Sequence, residues 1–492
     1  MNGLILNLGL KSIRAIIFNN EGKALTHSYK VVNSYLDNDR VEQDPQEWWE
    51  KGLSCIKEAL KVENKIDFIT VTSSAACVIP VTKDGDNLMR TIMVSDKRAK
   101  KESDYIQNLS SFKDLPYTSG VYYTIPRILW IKNNCPDIYN LTDKFVSPND
   151  FLIHKLTGEF CIDPLNAGKY FTVNDQYPQE LLQELEINID SLPPIQPIGT
   201  KLSLSSEMIQ ELGLSNEVKV ILTTYDAICA FFGSGPEKEG DACDMSGTVT
   251  SLRALTHKKI KETESRIFEQ KYQDWNVVGG SNNMGGGLIE WALEIFYQKN
   301  EHGKLELLKE HFSAETGLLF LPYLLGERAP LWDDHVRGTF LGIERTHNKD
   351  DLTRAVLEST GYLLRQLVEC VESNDITINR LFVSGGLSRL DIINQIKADI
   401  LGKEVIKVEE VESTSFGAYS IARKCLDENF NPQPCFKIEK VYMPNLEKHK
   451  IYSETYSLFQ DTYQHLKEFH EKRKDHLQSR RANSNQIKRT SL

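Results

Sequence analysis

Residues 244–256 read DMSGTVTSLRALT, and they echo residues 6–18, LNLGLKSIRAIIF. Each stretch is a strand, a glycine and a small turn, followed by Ser, an aliphatic residue, Arg, Ala and another aliphatic residue. The match needs one inserted residue. In the first copy Leu4, Leu6 and Leu8 precede Gly9, and Ile13, Ala15 and Ile17 alternate after it. Apolar alternation on both sides of a glycine predicts two short strands joined by a tight turn. Backbone N–H groups at such a turn converge on one spot, and glycine lets a phosphate come close. One copy in each half of the chain predicts two similar lobes, each presenting a Gly turn to a shared cleft.

Working outward, the 492 residues are too many for one ordinary core and enough for two or three domains. Hydrophobic content of 40% and charged content of 26% are those of a soluble globular protein, which excludes wholesale disorder. A net charge of −11 disfavours broad binding of nucleic acid or anionic membrane, so neither is expected as a partner. No run of about 18 apolar residues is present, so no transmembrane helix is expected. The first residues carry no basic stretch followed by an apolar core, which predicts a cytoplasmic setting. The nine cysteines form no CxxC pair, which fits buried thiols in a reducing compartment and argues against zinc.

Between the two turns, DPQEWWEKGLSCIKEALK reads as a helix started at Asp44 or Pro45, with Trp48, Leu53, Ile56 and Leu60 near one face. VKVILT at 218–223 is a continuous apolar strand, hence central in a sheet, and it runs into a helix entered through Asp226. The turn-rich GPEKEGD at 235–241 marks a domain boundary. Later, GGSNNMGGGLIEWALEIF is a Gly-rich loop entering an amphipathic helix, and INRLFVSGGLSRLDIINQIKADILG is a strand, a Gly-Gly turn and a helix. Tyr452, Tyr456, Phe459, Tyr463 and Leu466 recur at helical spacing and predict a docking helix. The expected organisation is a first domain at 1–240 and a second at 241–440. A docking helix follows at 441–470, and then a flexible basic tail at 471–492.

EQDPQEWW at 42–49, VSDKRA at 94–99, TYDAICAFFGSG at 224–235, DMSGTVTS at 244–251 and GERAPLWDDHVRGTFLGIERTH at 326–347 occur in this order, with SGGLSRLDIINQIKADILGKEV after them. With the opening hairpin, they make a chain that resembles the FGGY carbohydrate kinases from about residue 3 to about residue 465. The resemblance implies an α/β fold with two ribonuclease-H-like, actin-like ATPase domains around a central cleft, and a C-terminal helix and basic tail beyond them. It implies ATP and Mg²⁺ as cofactors and a small sugar as substrate. The implied reaction is transfer of the γ-phosphoryl group to a sugar hydroxyl, with a pentulose of xylulose or ribulose type as the first expectation. A homodimer is an expectation at the level of the family.

Phosphoryl transfer asks a protein for positioning, charge stabilisation and a group that takes the hydroxyl proton. Asp226 stands at a strand end, where open α/β sheets place ligands. The residues alone read it as a helix N-cap, and the resemblance makes it the general base. The resemblance also places Asp96 and Arg98 on the substrate side, a carboxylate being able to accept two sugar hydroxyls; the alternative is a charged surface turn. TSSAAC at 72–77 has small residues where many xylulose kinases carry larger polar ones, so Ser73 and Ser74 are the candidate donors of an altered sugar pocket. On the nucleotide side the resemblance points to Gly9, Lys11, Ser12 and Arg14 in the first turn and to Gly247 and Thr248 in the second. It adds Gly286 and Gly386, each at the start of a helix. Leu387 stands where the family often has a third glycine, which predicts a narrowed adenine pocket. GERAPLWDD is expected to be structural.

The opening turn departs from the family pattern, D-x-G-T or D-x-G-S. Here it is Asn7-Leu8-Gly9-Leu10. Asn7 is the variant metal position: it keeps an oxygen and loses the charge that a hard cation prefers. Two readings follow, a sugar kinase with a variant metal site, or a catalytically impaired protein that binds sugar or nucleotide and acts in regulation or scaffolding.

Overall fold

The two Gly turns close equivalent hairpins. In the computed structural model, strand Gly3–Leu8 pairs antiparallel with Ser12–Phe18, and strand Asp241–Ser246 with Thr250–Thr256. Gly9 N–H donates to Ser12 O at 2.9 Å, and Gly247 N–H to Val249 O at 2.9 Å. The structure describes residues 1–247, 249–261, 267–298, 305, 308, 312–409, 412–432 and 435–490, with backbone alone at 478–479 and 481–490.

Each hairpin lies at the centre of its own sheet. The first sheet runs Ala24–Val31, Ser12–Phe18, Gly3–Leu8, Phe68–Ser73, Lys219–Ile221 and Lys201–Ser203. The second runs Phe268–Tyr272, Trp275–Ser281, Thr250–Thr256, Asp241–Ser246, Arg380–Ser384, Val405–Val408 and Ile438–Tyr442. Apart from the extra strand Phe268–Tyr272, neighbours follow one plan in both: antiparallel, antiparallel, parallel, parallel, antiparallel. The echo between residues 6–18 and 244–256 is therefore a duplicated architecture. The first strand is buried throughout in the first hairpin and at every residue but Met245 in the second, as expected where a parallel neighbour on one side comes with helices on the faces.

The chain divides into two units. Unit 1 comprises Met1–Gly233 with Glu410–Phe436, and unit 2 comprises Ser234–Glu409 with Lys437–Leu492. The division falls seven residues before the expected boundary at 240, and residues 410–436, expected in the second domain, belong to the first. The reason is packing. Helix Ser413–Leu426 lies backbone to backbone against helix Asp226–Phe232: a Cβ at Gly417 would sit 1.7 Å from Cys229 O, and one at Gly233 would sit 1.8 Å from Ser413 O. Phe416 and Tyr419 then stack into Phe18 and Phe68 of the first sheet.

Helix Pro45–Leu60 covers one face of the unit 1 sheet. Asp44 caps it by accepting Gln46 N–H at 2.9 Å. Its buried face is Trp48, Gly52, Cys55, Ile56 and Ala59 rather than Leu53 and Leu60, because a Cβ at Gly52 would already be 2.9 Å from Ile13 Cδ1. In unit 2, Tyr452, Tyr456, Phe459 and Tyr463 of helix Leu446–Thr490 are buried in the core beside Tyr323 and Tyr362. The helix continues to Thr490, past residue 471, where composition predicts a flexible tail. Residues 446–490 contain no Gly or Pro to end it.

Candidate active site

In unit 1 the parallel strands Phe68–Ser73 and Lys219–Ile221 end at the same edge, and the residues leaving them meet there. Thr72 Oγ1 donates to Thr224 O at 2.9 Å, and Thr70 Oγ1 lies 2.7 Å from Thr223 Oγ1. One step further on, Ser74 Oγ donates to Asp226 Oδ2 at 3.2 Å. Asp226 is the first residue of its helix, and the cap position is Tyr225, with no side-chain cap bond. The N-cap reading is thus corrected, and the half-buried Asp226 carboxylate accepts a hydrogen bond from the 73–77 turn. Ser73 is buried, its hydroxyl 3.5 Å from Ser74 O. Ala76, in the same turn, has φ +60°, a left-handed conformation uncommon outside glycine. The fully buried Arg127 donates to Ala76 O and, at 2.8 Å, to Val94 O.

Asp96 and Arg98 are committed to each other. Asp96 is buried, and its Oδ1 accepts Arg98 N–H and Nε–H, both at 2.9 Å. Its Oδ2 accepts Arg98 Nη2–H at 2.7 Å and Val41 N–H at 2.6 Å. A carboxylate has about four lone-pair sites, so this one is filled by its own chain. Arg98 also binds Glu42 at 2.7 Å and lies over the Trp130 ring at 4.9 Å. Both the sugar-contact expectation and the surface-turn alternative give way here to a buried ion pair that joins the 94–99 loop to strand Arg40–Gln43.

The opening turn is wired outward from its strand. Asn7 is buried, and its Nδ2 donates to Ser415 Oγ at 2.9 Å, which leaves the neutral Oδ1 as the atom it offers a cation or a water. Leu10 is exposed, and its carbonyl accepts Gln43 Nε2–H at 2.8 Å. Lys11 is exposed at the same turn. Arg14, expected at the nucleotide, instead grips Glu412 with Nη1 at 2.7 and 2.6 Å from the two oxygens, and its Nη2 donates to Ser12 Oγ at 3.0 Å. The turn's two polar handles therefore hold the segment that carries Glu412 and Ser415.

In unit 2 three glycine turns converge. A Cβ at Gly286, in the first turn of helix Gly286–Phe296, would be 2.8 Å from Gly247 O, and one at Gly385 would be 2.6 Å from Ser246 O. Gly286 N–H donates to Gly247 O at 2.7 Å. Gly247 and Gly386 have no atom within 4 Å of an added Cβ, so both border open space. Thr248 lies outside the described residues. Leu387 is buried in the unit 2 core, its Cδ2 3.6 Å from a Cβ placed at Gly286. The GERAP loop is structural. Glu327 is buried, and its Oε1 accepts Asn283 N–H at 2.7 Å and Arg328 N–H at 2.8 Å, fixing the loop that leads into helix Gly286–Phe296. Burial pushes its carboxyl up to about 7.

Sequence reasoning missed Ser415 and Glu412, which lie some four hundred residues from the turn they hold, with no local pattern to betray them. It also missed Lys397 and Asp244, a fully buried ion pair beneath the Gly247 turn. Asp244 stood in plain view in DMSG, but its partner on a distant helix gives no sequence signal.

Among the described residues no helix is long and apolar enough to cross a membrane, and no three acidic, His or Cys side chains group to hold a metal. The family description "FGGY family of carbohydrate kinases, N-terminal domain" matches residues 3–233, and its C-terminal counterpart matches residues 245–423. A xylulose kinase of Staphylococcus epidermidis is 26% identical over 481 residues, covering 94% of this chain and 96% of its own. A glycerol kinase of Thermococcus gammatolerans is 27% identical, covering 90% and 94%. The crystal structure of a gluconate kinase from Lactobacillus acidophilus superposes with a TM-score of 0.87 at 23% identity, covering 94% of this chain and 98% of its own.

Proposed function

The chain belongs to the FGGY family of carbohydrate kinases and is a sugar kinase, and from that premise we propose that it phosphorylates a hydroxyl of a small pentulose, of xylulose or ribulose type, with Asp226 as general base. Unit 1 takes the sugar and unit 2 the nucleotide. The observation that supports Asp226 is its place at the shared end of two parallel strands, its carboxylate turned to the Ser74 hydroxyl rather than used as a cap. There it accepts the proton that the sugar hydroxyl loses as the phosphoryl group transfers, a role worth roughly 10²–10⁴ in rate. Ser74, which orients that carboxylate, and Ser73 are the polar side chains of the acceptor turn. Asp96 and Arg98 act from behind by holding their loop.

For the nucleotide, Gly247 and Gly386 leave room for phosphate against backbone, and helix Gly286–Phe296 starts beside them. Thr248 is assigned the same phosphates from its family position alone. Gly9, Ser12 and the exposed Lys11 of unit 1 are assigned phosphate contacts from their family positions alone. The divalent ion arrives on the phosphates of ATP as part of that substrate, as is usual for Mg²⁺. The residues present fit a contact through water from Asn7 Oδ1, without a carboxylate ligand. Nothing in the site favours the regulatory alternative.

The test is ADP release from Mg·ATP across pentuloses, hexuloses, polyols and sugar acids, beside Asp226→Asn. Turnover with a pentulose that falls at least 10²-fold in the folded variant is the expected result. A preference for a hexulose, polyol or sugar acid would move the substrate, and a variant as active as the natural chain would remove Asp226 as base.

A further inference from the structure

Beneath the Gly247 turn lies a closed polar cluster that no step of phosphoryl transfer uses directly. Lys397 Nζ binds Asp244 Oδ2 at 2.5 Å and Ser246 Oγ at 3.3 Å, and Ser246 Oγ donates to Asp244 Oδ1 at 2.5 Å. Ser246 Oγ is also 3.2 Å from Thr250 Oγ1. All four residues are buried, Lys397 and Ser246 at 1% exposure and Asp244 at 0%. Their side chains are bound to one another.

They lie against the Gly247 turn and beside the two other glycine turns. Ser246 immediately precedes Gly247 and Thr250 follows the turn, so the cluster clamps both strands of the hairpin. Thr250 O accepts Asn282 N–H at 3.0 Å, on the loop entering helix Gly286–Phe296, and a Cβ at Gly285 would be 2.7 Å from Thr250 Oγ1. Lys397 belongs to helix Asp391–Leu401, which follows the Gly385-Gly386 turn, and Gly385 packs on Ser246 itself. Through Ser246 and Thr250 the buried pair is thus connected to three turns that come from separate parts of unit 2. Interiors are close-packed and transmit small shifts, and a site displaced by about 1 Å loses much of its function.

We propose that Asp244, Ser246 and Lys397 are positioning residues for the nucleotide: they hold the Gly247, Gly285-Gly286 and Gly385-Gly386 turns in the mutual arrangement that binds phosphate. The proposal rests on the assignment of the nucleotide to unit 2. A charged pair under the turn, rather than an apolar contact, also makes the arrangement directional, because both carboxylate oxygens and the ammonium have fixed partners.

The experiment uses the full chain and Mg·ADP as probe, with the dissociation constant read by calorimetry, steady-state KM values for ATP and sugar, and the melting midpoint. Three variants are compared: Ser246→Ala, the charge-free double Asp244→Asn/Lys397→Met, and Gly247→Val, whose Cβ enters open space. The expected result is a rise of at least fivefold in the Mg·ADP constant and ATP KM for Ser246→Ala and for the double variant, with sugar KM within twofold. Gly247→Val is expected to lose tenfold or more. If Gly247→Val weakens Mg·ADP while the other two lower only the melting midpoint, the cluster is structural and the inference fails alone. If Gly247→Val leaves the constant unchanged, the nucleotide is not at this turn, and the assignment falls together with the inference.

Discussion

The first hairpin turn and the second share a strand plan, a glycine and a place in their sheets, yet their polar wiring differs. At the first, Asn7 and Arg14 reach away from the hairpin to Ser415 and Glu412, and the ion pair is partly open to water, with side-chain exposures of 26% and 35%. At the second, Asp244 and Lys397 form a pair exposed by 0% and 1%, closed by Ser246. The backbone of a Gly hairpin is set by sheet topology and is tolerant of such change. The charge beneath it is set by whichever helix packs there, and that differs: Ser413–Leu426 for the first turn, Asp391–Leu401 for the second.

Cutting one partner from each pair gives the largest expected difference between the two turns. Lys397→Met leaves the Asp244 carboxylate buried without a countercharge, and denaturant unfolding should show a loss of about 3–5 kcal/mol. Arg14→Met, at the screened pair, should cost about 1 kcal/mol or less. Equal losses would mean that the two turns are held alike, whatever their exposure.

Buried carboxyls give the next effect. Burial raises Asp150 to about 8 and Asp163 to about 6 in unit 1. Such groups are protonated in the fold at pH values where the unfolded chain has ionised them. Their contribution is complete below about pH 4 and is lost as pH rises through the folded values. Thermal midpoints should therefore fall between pH 5 and pH 9, and Asp150→Asn should flatten most of that slope. A slope unchanged in the variant would assign it to other groups, among them Glu327 of unit 2.

The smallest effect sharpens the comparison at its chemical point. Asn7→Asp restores a carboxylate to the first turn, and Ser415 Oγ can still serve it by donating instead of accepting. Turnover with saturating Mg·ATP should rise by about tenfold, less than the roughly 10²–10³ that loss of a charge-stabilising group costs. No change would mean that transfer does not depend on a carboxylate at the first turn.

The residues that could be read in advance were those whose role is local. The hairpin echo, the helix begun at Asp44, the boundary near residue 235 and the placing of Asp226 at a strand end all rest on patterns a few residues long. Asp96 and Arg98 were legible as a charged pair, but not as one already saturated, because Val41 and Glu42 come from a strand some fifty residues earlier. Segment 410–436 was assigned to the wrong half because chain order suggested it, whereas Gly233 and Gly417 allow a helix contact that no larger residue would.

By itself the sequence determined the duplicated plan, the family and the residue types at each turn, since hydrophobic period, glycine punctuation and motif order are properties of the chain. Only the tertiary structure decided which of those residues are still available to a ligand. A side chain's chemistry depends on what packs against it, and the partners of Asn7, Arg14, Asp96 and Asp244 include residues brought from far along the chain, where no local pattern reaches.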